Sequence, residues 1–133
     1  MRTGKRDKLG PLGERVAARF LRRRGYRVLG RNLVTNFGEA DLLCEHPRAG
    51  IVLVEVKARR FSANAPRPEA SVTLRKRQRL LRILEHLVRA NGWEHRPRRV
   101  DVIAVEFYPR RFLRAKASVR HFENAVLQGG AAR

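Results

Sequence analysis

Glu39-Ala40-Asp41-Leu42-Leu43-Cys44 and Ile51-Val52-Leu53-Val54-Glu55-Val56-Lys57 flank a short turn, His46-Pro47-Arg48-Ala49-Gly50. Together they read as two adjacent β-strands. Successive side chains of a strand point to opposite faces, so Glu55 and Lys57 share one side and Val56 takes the other. Asp41 sits in the preceding strand. Charged groups that follow an Ile-Val-Leu-Val run are costly to bury unless they pair or hold a metal. Two carboxylates and a lysine so placed point to metal-assisted hydrolysis of a phosphodiester. The plainer alternative is a surface Glu55–Lys57 ion pair, worth at most about 1 kcal/mol.

The charge balance bears on that choice. The chain has 133 residues, 31 of them Lys or Arg against 12 Asp or Glu, for a formal charge of +19. Such an excess suits a polyanionic partner, nucleic acid above all. Lysines stand only at 5, 8, 57, 76 and 116, so arginine dominates. Codon bias is a sufficient reason for that ratio, though not for the net charge. Hydrophobic residues make up 43%, enough for a single-domain core. Cys44 is the lone cysteine, which excludes an internal disulfide and argues against a cysteine zinc site. No apolar run exceeds four residues, as in Ile51–Val54, far short of a membrane span or signal segment. A soluble, cytoplasmic protein without membrane attachment is expected.

Outward from the two strands, the remaining elements follow from periodicity. Residues 1–10 read as a flexible basic tail, 11–128 as one domain and 129–133 as a second flexible tail. Leu12, Val16 and Phe20 recur at helical spacing from Pro11, and Gly25 after three arginines suits a helix end. Tyr26–Val34 reads as the first strand. Arg59–Ala70, with two prolines, reads as an exposed loop. Thr73 is suited to cap a second helix running to Asn91-Gly92, with Leu80, Leu84, Leu87 and Val88 on its apolar face. Val100–Phe107 makes a fourth strand, Ser118–Phe122 a short fifth, and Glu123–Gln128 a final turn. The order α-β-β-β-α-β fits an α/β layer with a mixed central sheet flanked by helices.

These motifs resemble the YraN-like family of small bacterial proteins. The likeness rests on Gly13-Glu14-Arg15-Val16-Ala17-Ala18-Arg19-Phe20-Leu21, Gly25-Tyr26, Asn32, Gly38-Glu39-Ala40-Asp41 and Val54-Glu55-Val56-Lys57. It continues through Val72-Thr73, Lys76, Val100-Asp101-Val102 and His121-Phe122-Glu123-Asn124-Ala125. Two places depart from it. Ala40 replaces a larger aliphatic residue, and Phe61–Pro66 lacks a Phe-Gly pair common there. The family in turn resembles the restriction-endonuclease-like superfamily and its Holliday-junction resolvases, with their α-β-β-β-α-β core.

That resemblance implies a nuclease acting on DNA, branched or otherwise structured, with Mg²⁺ or Mn²⁺ as cofactor. Asp41 and Glu55 would then ligate the metal, joined by the Val56 carbonyl, and Lys57 would position the attacking water and the phosphate. Resolvase-like relatives bring a helix carboxylate to the metal, which makes Glu14 a third candidate ligand. A first-turn glutamate favoured by the helix dipole is its plain alternative. Glu39 shares the face of Asp41 by alternation, in support of the site or in an ion pair. Lys76 would reach a phosphate or stand solvated. Arg75, Arg79 and Arg82 form a basic helix side that either contacts phosphates without reading sequence or is simply solvated. Asp101 is expected to pair with an arginine. The resolvase likeness leaves room for a homodimer. On the same fold, a non-catalytic nucleic-acid-binding accessory protein is the alternative, and charge does not separate DNA from RNA.

Overall fold

The computed structural model describes residues 9–108 and 116–126. The elements run α1 (Leu9–Arg23), β1 (Arg27–Thr35), β2 (Gly38–His46), β3 (Gly50–Arg60), a 3-10 turn (Pro68–Ser71), α2 (Leu74–Asn91), β4 (Arg98–Phe107) and β5 (Ala117–Val126). This is the expected α-β-β-β-α-β core with a complete fifth strand. The strands form one sheet in chain order, β1 to β5. Neighbours are antiparallel except β3 and β4, which run parallel. A parallel pair needs a long crossover, and α2 supplies it.

Helix ends follow local chemistry. The Tyr26 N–H reaches the Leu21 carbonyl and the Gly25 N–H reaches Arg22, the paired bonds of a Schellman turn, with Gly25 at φ 90°. The Thr73 hydroxyl accepts from the Lys76 N–H at 3.2 Å, capping α2 as expected.

One helix covers each face of the sheet. On the α1 side, Ala17 and Leu21 pack on Leu42, Val52, Val54 and Ile103. On the α2 side, Leu80, Ile83, Leu84 and Val88 pack on Ile51 and Leu53. Burial on both faces explains the unbroken apolar run at the start of β3. Ala40 lies in the α2-side core.

Three expectations are corrected. The stretch read as a loop from Arg59 instead begins inside β3, because Arg59 and Arg60 pair with Glu106 and Phe107. Its far end, Pro68–Ser71, is a 3-10 turn rather than open loop. The turn read at Glu123–Gln128 is strand through Val126. Its turn-like residue, Asn124, sits at φ 51° within an irregularity of the β4–β5 register, and its N–H goes to the Asp101 carboxylate. Leu127 and Gln128 lie outside the described residues, as do most of the first expected tail and all of the second. Leu9 and Gly10, read as the end of that first tail, already belong to α1. Among the described residues no helix is long and apolar enough to cross a membrane.

Candidate active site

Strands β2 and β3 pair from His46–Gly50 up to Leu42–Val54, and there the ladder stops. Beyond it the Asp41 carboxylate takes over, accepting the Val56 N–H at 2.8 Å. On the other flank β1 is irregular opposite Asp41. Arg31 faces Leu42 and Leu33 faces Ala40, while Asn32 between them adopts φ 49°. In a regular strand Ala40 and Leu42 would share a face. Here Ala40 packs on the α2 side and Leu42 on the α1 side, so the strand kinks at Asp41. The carboxylate is thereby delivered into the gap where β2 and β3 part.

β3 carries the next groups by simple alternation. Ile51 and Leu53 face α2, so Glu55 and Lys57 follow on that side, while Val56 and Ala58 pack toward α1. Glu55 is 6% exposed. Its Oε2 lies 3.6 Å from Lys57 Nζ and 3.2 Å from Lys76 Nζ. The first turn of α2 supplies Lys76, which explains why a residue 21 positions away in sequence reaches this carboxylate. The N–H and carbonyl of one strand residue point to the same neighbouring strand. The Val56 carbonyl therefore faces the β2 gap along with its N–H.

α1 brings the third carboxylate. Gly13 lies flat against Ala58 and Val56, where no side chain fits, and this close approach sets Glu14 beside the sheet. The Asn32 amide, oriented with its NH₂ toward Glu14, donates to both carboxylate oxygens at 3.1 and 3.3 Å. Glu14 also lies close enough to Asp41 and Glu55 for the like charges to be felt.

The electrostatics follow from this crowding. Burial pushes the Asp41 carboxyl up to about 7, and the charges of Glu55 and Glu14 add to the rise against the opposing Val56 N–H. Burial likewise raises Glu14. Lys57 is lowered by burial and then by the neighbouring Lys76. Burial works against the charge on Lys76, but Lys57, Glu55 and Asp41 outweigh it and hold its pKa above the ordinary lysine value. The two lysines are thus pushed apart, with Lys57 the easier to deprotonate.

Among the described residues no three His, Cys, Asp or Glu side chains form a ready chelating group. The donor chemistry nevertheless fits Mg²⁺ or Mn²⁺. Mg²⁺ takes one or two carboxylates and fills its remaining positions with water or other oxygens. Asp41, Glu55 and the Val56 carbonyl are such donors around one gap, with Glu14 next to them. Burial first, and then the charges of Glu55 and Glu14, make the ionised Asp41 unfavourable, and a divalent cation would relieve the part due to charge.

The structure thus brings together Asp41, Glu55, Lys57, Glu14 and Lys76. It does not bring Glu39, which is exposed. The kink at Asp41 breaks the alternation on which its placement rested. Arg75, Arg79 and Arg82 are exposed along α2, and the Arg79 chain lies against Gly38 at the β1–β2 turn. Asp101 is fully buried away from the cluster, held by Arg99, His121 and the Asn124 N–H. Arg99 is the arginine partner expected for it. Asn32 was assigned no role from the sequence. The signal for it is an asparagine inside a strand, the residue most tolerant of left-handed backbone after glycine. A cavity of about 500 Å³ lies elsewhere, lined by Glu69, Arg77, Val102, Phe122, Glu123 and Ala125.

Comparison with known proteins places these residues in a family. Residues 13–105 match the model of Uncharacterised protein family UPF0102. A UPF0102 protein of Roseiflexus castenholzii is 39% identical over 126 residues, covering 93% of this chain and 97% of the relative. One from Caldanaerobacter subterraneus is 32% identical over 117 residues, covering 88% and 93%. Among solved structures, Pyrococcus furiosus SfsA in complex with Ca²⁺ aligns with a TM-score of 0.44 and 16% identity. That alignment covers 86% of this chain and 62% of SfsA. With nearly its whole length matched by relatives and its helix-to-β4 span matched by the family model, the chain belongs to Uncharacterised protein family UPF0102.

Proposed function

We propose that this protein is a metal-dependent nuclease that hydrolyses phosphodiester bonds in DNA, with branched or otherwise structured DNA as its substrate. The observation that carries the reading is the convergence of Asp41, Glu55 and Lys57 where β2 and β3 part, on a chain of charge +19. A pure binder of polyanions gains nothing from buried carboxylates aimed at its ligand. Asp41 and Glu55, with the Val56 carbonyl, would hold Mg²⁺ or Mn²⁺, and Glu14 would support them. When bound, the ion supplies an activated water and neutralises charge on the phosphate. Lys57, with its lowered pKa, takes a proton from the water or holds the phosphate. Lys76, on the same Glu55 oxygen as Lys57, contacts the phosphate beside it. Arg75, Arg79 and Arg82 bind the backbone without reading bases. A four-way junction offers two equivalent strands and calls for a dimer of this chain, which sedimentation of the complex would count.

One observation favours the rival, a non-catalytic nucleic-acid-binding protein on the same fold. Glu55 already has both lysines as partners and is satisfied without metal. The deciding experiment is cleavage of labelled single-stranded, duplex, flap and four-way-junction DNAs and RNAs with Mg²⁺ or Mn²⁺. Glu55→Ala and Lys57→Ala proteins, purified identically, run beside the wild type. Metal-dependent cutting lost in both variants is the expected result. Binding without cutting, equal in all three proteins, overturns the nuclease and leaves the rival.

A further inference from the structure

We propose that Phe61 and Tyr108 form a stacking platform for an unpaired base, so that the nucleic acid entering the neighbouring site carries a single-stranded segment. The inference rests on the nuclease reading of that site and narrows its substrate. Phe61 is the first residue after β3 and Tyr108 the first after β4. The parallel pairing of the two strands runs to Arg60–Phe107, and the Phe61 N–H donates to the Phe107 carbonyl at 2.8 Å. This bond brings the two aromatic rings together, with centroids 4.8 Å apart and planes tilted by 32°.

The pair is not absorbed by the core. Phe61 is 42% exposed and Tyr108 36%. Phe107, one residue earlier, packs into the α1-side cluster. Alternation therefore turns Tyr108 toward the opposite side, the side of Glu55 and Lys57. Counting along β3 in twos from Glu55 reaches Lys57, Arg59 and then Phe61, so both rings belong to the site's face.

Distance and charge identify the occupant. Four residue steps lead from Lys57 to Phe61, roughly 13 Å along an extended strand. At a rise of about 3.4 Å per nucleotide that is about four steps of a duplex strand, and fewer of an extended one. Arg59 adjoins the rings on the same face of β3, while Arg60, paired with Phe107, turns to the α1 side. The acid paired opposite Arg59, Glu106, is buried and bound by Arg120 at 3.2 Å. Exposed rings beside Arg59, which has no acid partner among the described residues, suit a ligand with a flat apolar face and a negative backbone, which is an unpaired nucleotide. A base inside a duplex presents no free face to them, so a blunt duplex does not engage the platform.

The test uses the full chain in EDTA, where binding is read without cleavage. Fluorescence anisotropy measures affinity for a flap DNA, a single-stranded DNA, a single-stranded RNA of the same sequence and a blunt duplex of equal length. A 2-aminopurine in the unpaired segment reports stacking by quenching. Phe61→Ala and Tyr108→Ala should each weaken binding to unpaired strands about tenfold and abolish quenching, while blunt-duplex affinity stays within about twofold. Phe61→Tyr should retain both signals. Equal losses on blunt duplex and unpaired strands, or no loss on either, overturn the platform. The two single-stranded arms show whether it prefers DNA or RNA. Wild type that quenches but never cuts with Mg²⁺ refutes the nuclease alone. Metal-dependent cutting with no quenching refutes the platform alone.

Discussion

Replacing Asp41 by asparagine should make the metal-free protein more stable at alkaline pH, although it deletes a carboxylate of the candidate site. Asparagine retains an oxygen to accept the Val56 N–H and removes a charge opposed by burial, Glu55 and Glu14. The carboxyl titrates at about 7 in the fold against 3.8 when free. Its sign is that of a raised pKa. Below 3.8 folded and unfolded chains both carry the proton, and the site costs nothing. Between 3.8 and 7 the folded protein keeps a proton that the unfolded chain has released, so stability falls as pH rises. Above 7 the penalty is complete.

Three pKa units at about 1.36 kcal/mol each set a ceiling of ~4 kcal/mol. Asp41 is partly exposed and shares its field with two other carboxylates, so about 2 kcal/mol is the working value. For a domain of this size that is roughly 8 °C in Tm. Thermal melts of wild type and Asp41→Asn at pH 5, 6, 7 and 8 read it directly. The variant should melt higher at pH 8, and the gap should narrow toward pH 5. Mg²⁺ at about 100 times its Kd should then stabilise the wild type by ~2.7 kcal/mol and leave the variant unmoved. A variant no more stable than wild type at pH 8, or a gap independent of pH, would refute the reasoning.

Three other perturbations follow from the same structure. Asp101→Ala should cost about 3–5 kcal/mol in urea unfolding, because Arg99 loses its buried counter-charge while His121 and the Asn124 N–H lose a hydrogen-bond partner. Burial works to raise the Asp101 pKa, yet His121, Arg99 and the Asn124 N–H together lower it. The stability it supplies is therefore present above pH 3.8 and lost at more acid pH, so the urea deficit of the variant should shrink there. Gly13→Ala, which gains about 1 kcal/mol in an ordinary helix, should instead destabilise by about 1–3 kcal/mol, since its methyl meets Ala58. It should also weaken Mg²⁺ binding by shifting Glu14, as a calorimetric titration would read. Arg79→Ala with Arg82→Ala should lower affinity for DNA equally across sequences. The slope of log K against log salt should fall by about 0.9 for each phosphate that the variant no longer neutralises.

Much of this molecule is written in short-range pattern. The four-residue apolar run of β3 and the helical stripe from Leu12 each arise from faces that recur within a few residues. They revealed the layer order, and with it Asp41, Glu55 and Lys57 as groups near one another. β5 shows where such pattern fails. Asn124 looks like a turn because it needs a left-handed backbone, but the Asp101 carboxylate holds its N–H and lets the strand continue. That bond joins residues 23 apart, so no local window contains it.

The sequence by itself determined the residue types of the site, their strand spacing, the helix caps and the net charge of +19. These are properties of neighbouring residues and of composition. Tertiary structure alone decided that β2 kinks at Asp41, that Glu39 stays outside, and that Lys76 reaches Glu55 instead of standing solvated. It also joined Phe61 to Tyr108 at the ends of two parallel strands. The pKa of Asp41 has the same origin, because burial raises it first and the charges of Glu55 and Glu14, from a strand and a helix packed beside it, raise it further. Each of these depends on how distant segments exclude water from one another, and no stretch of chain carries that information alone.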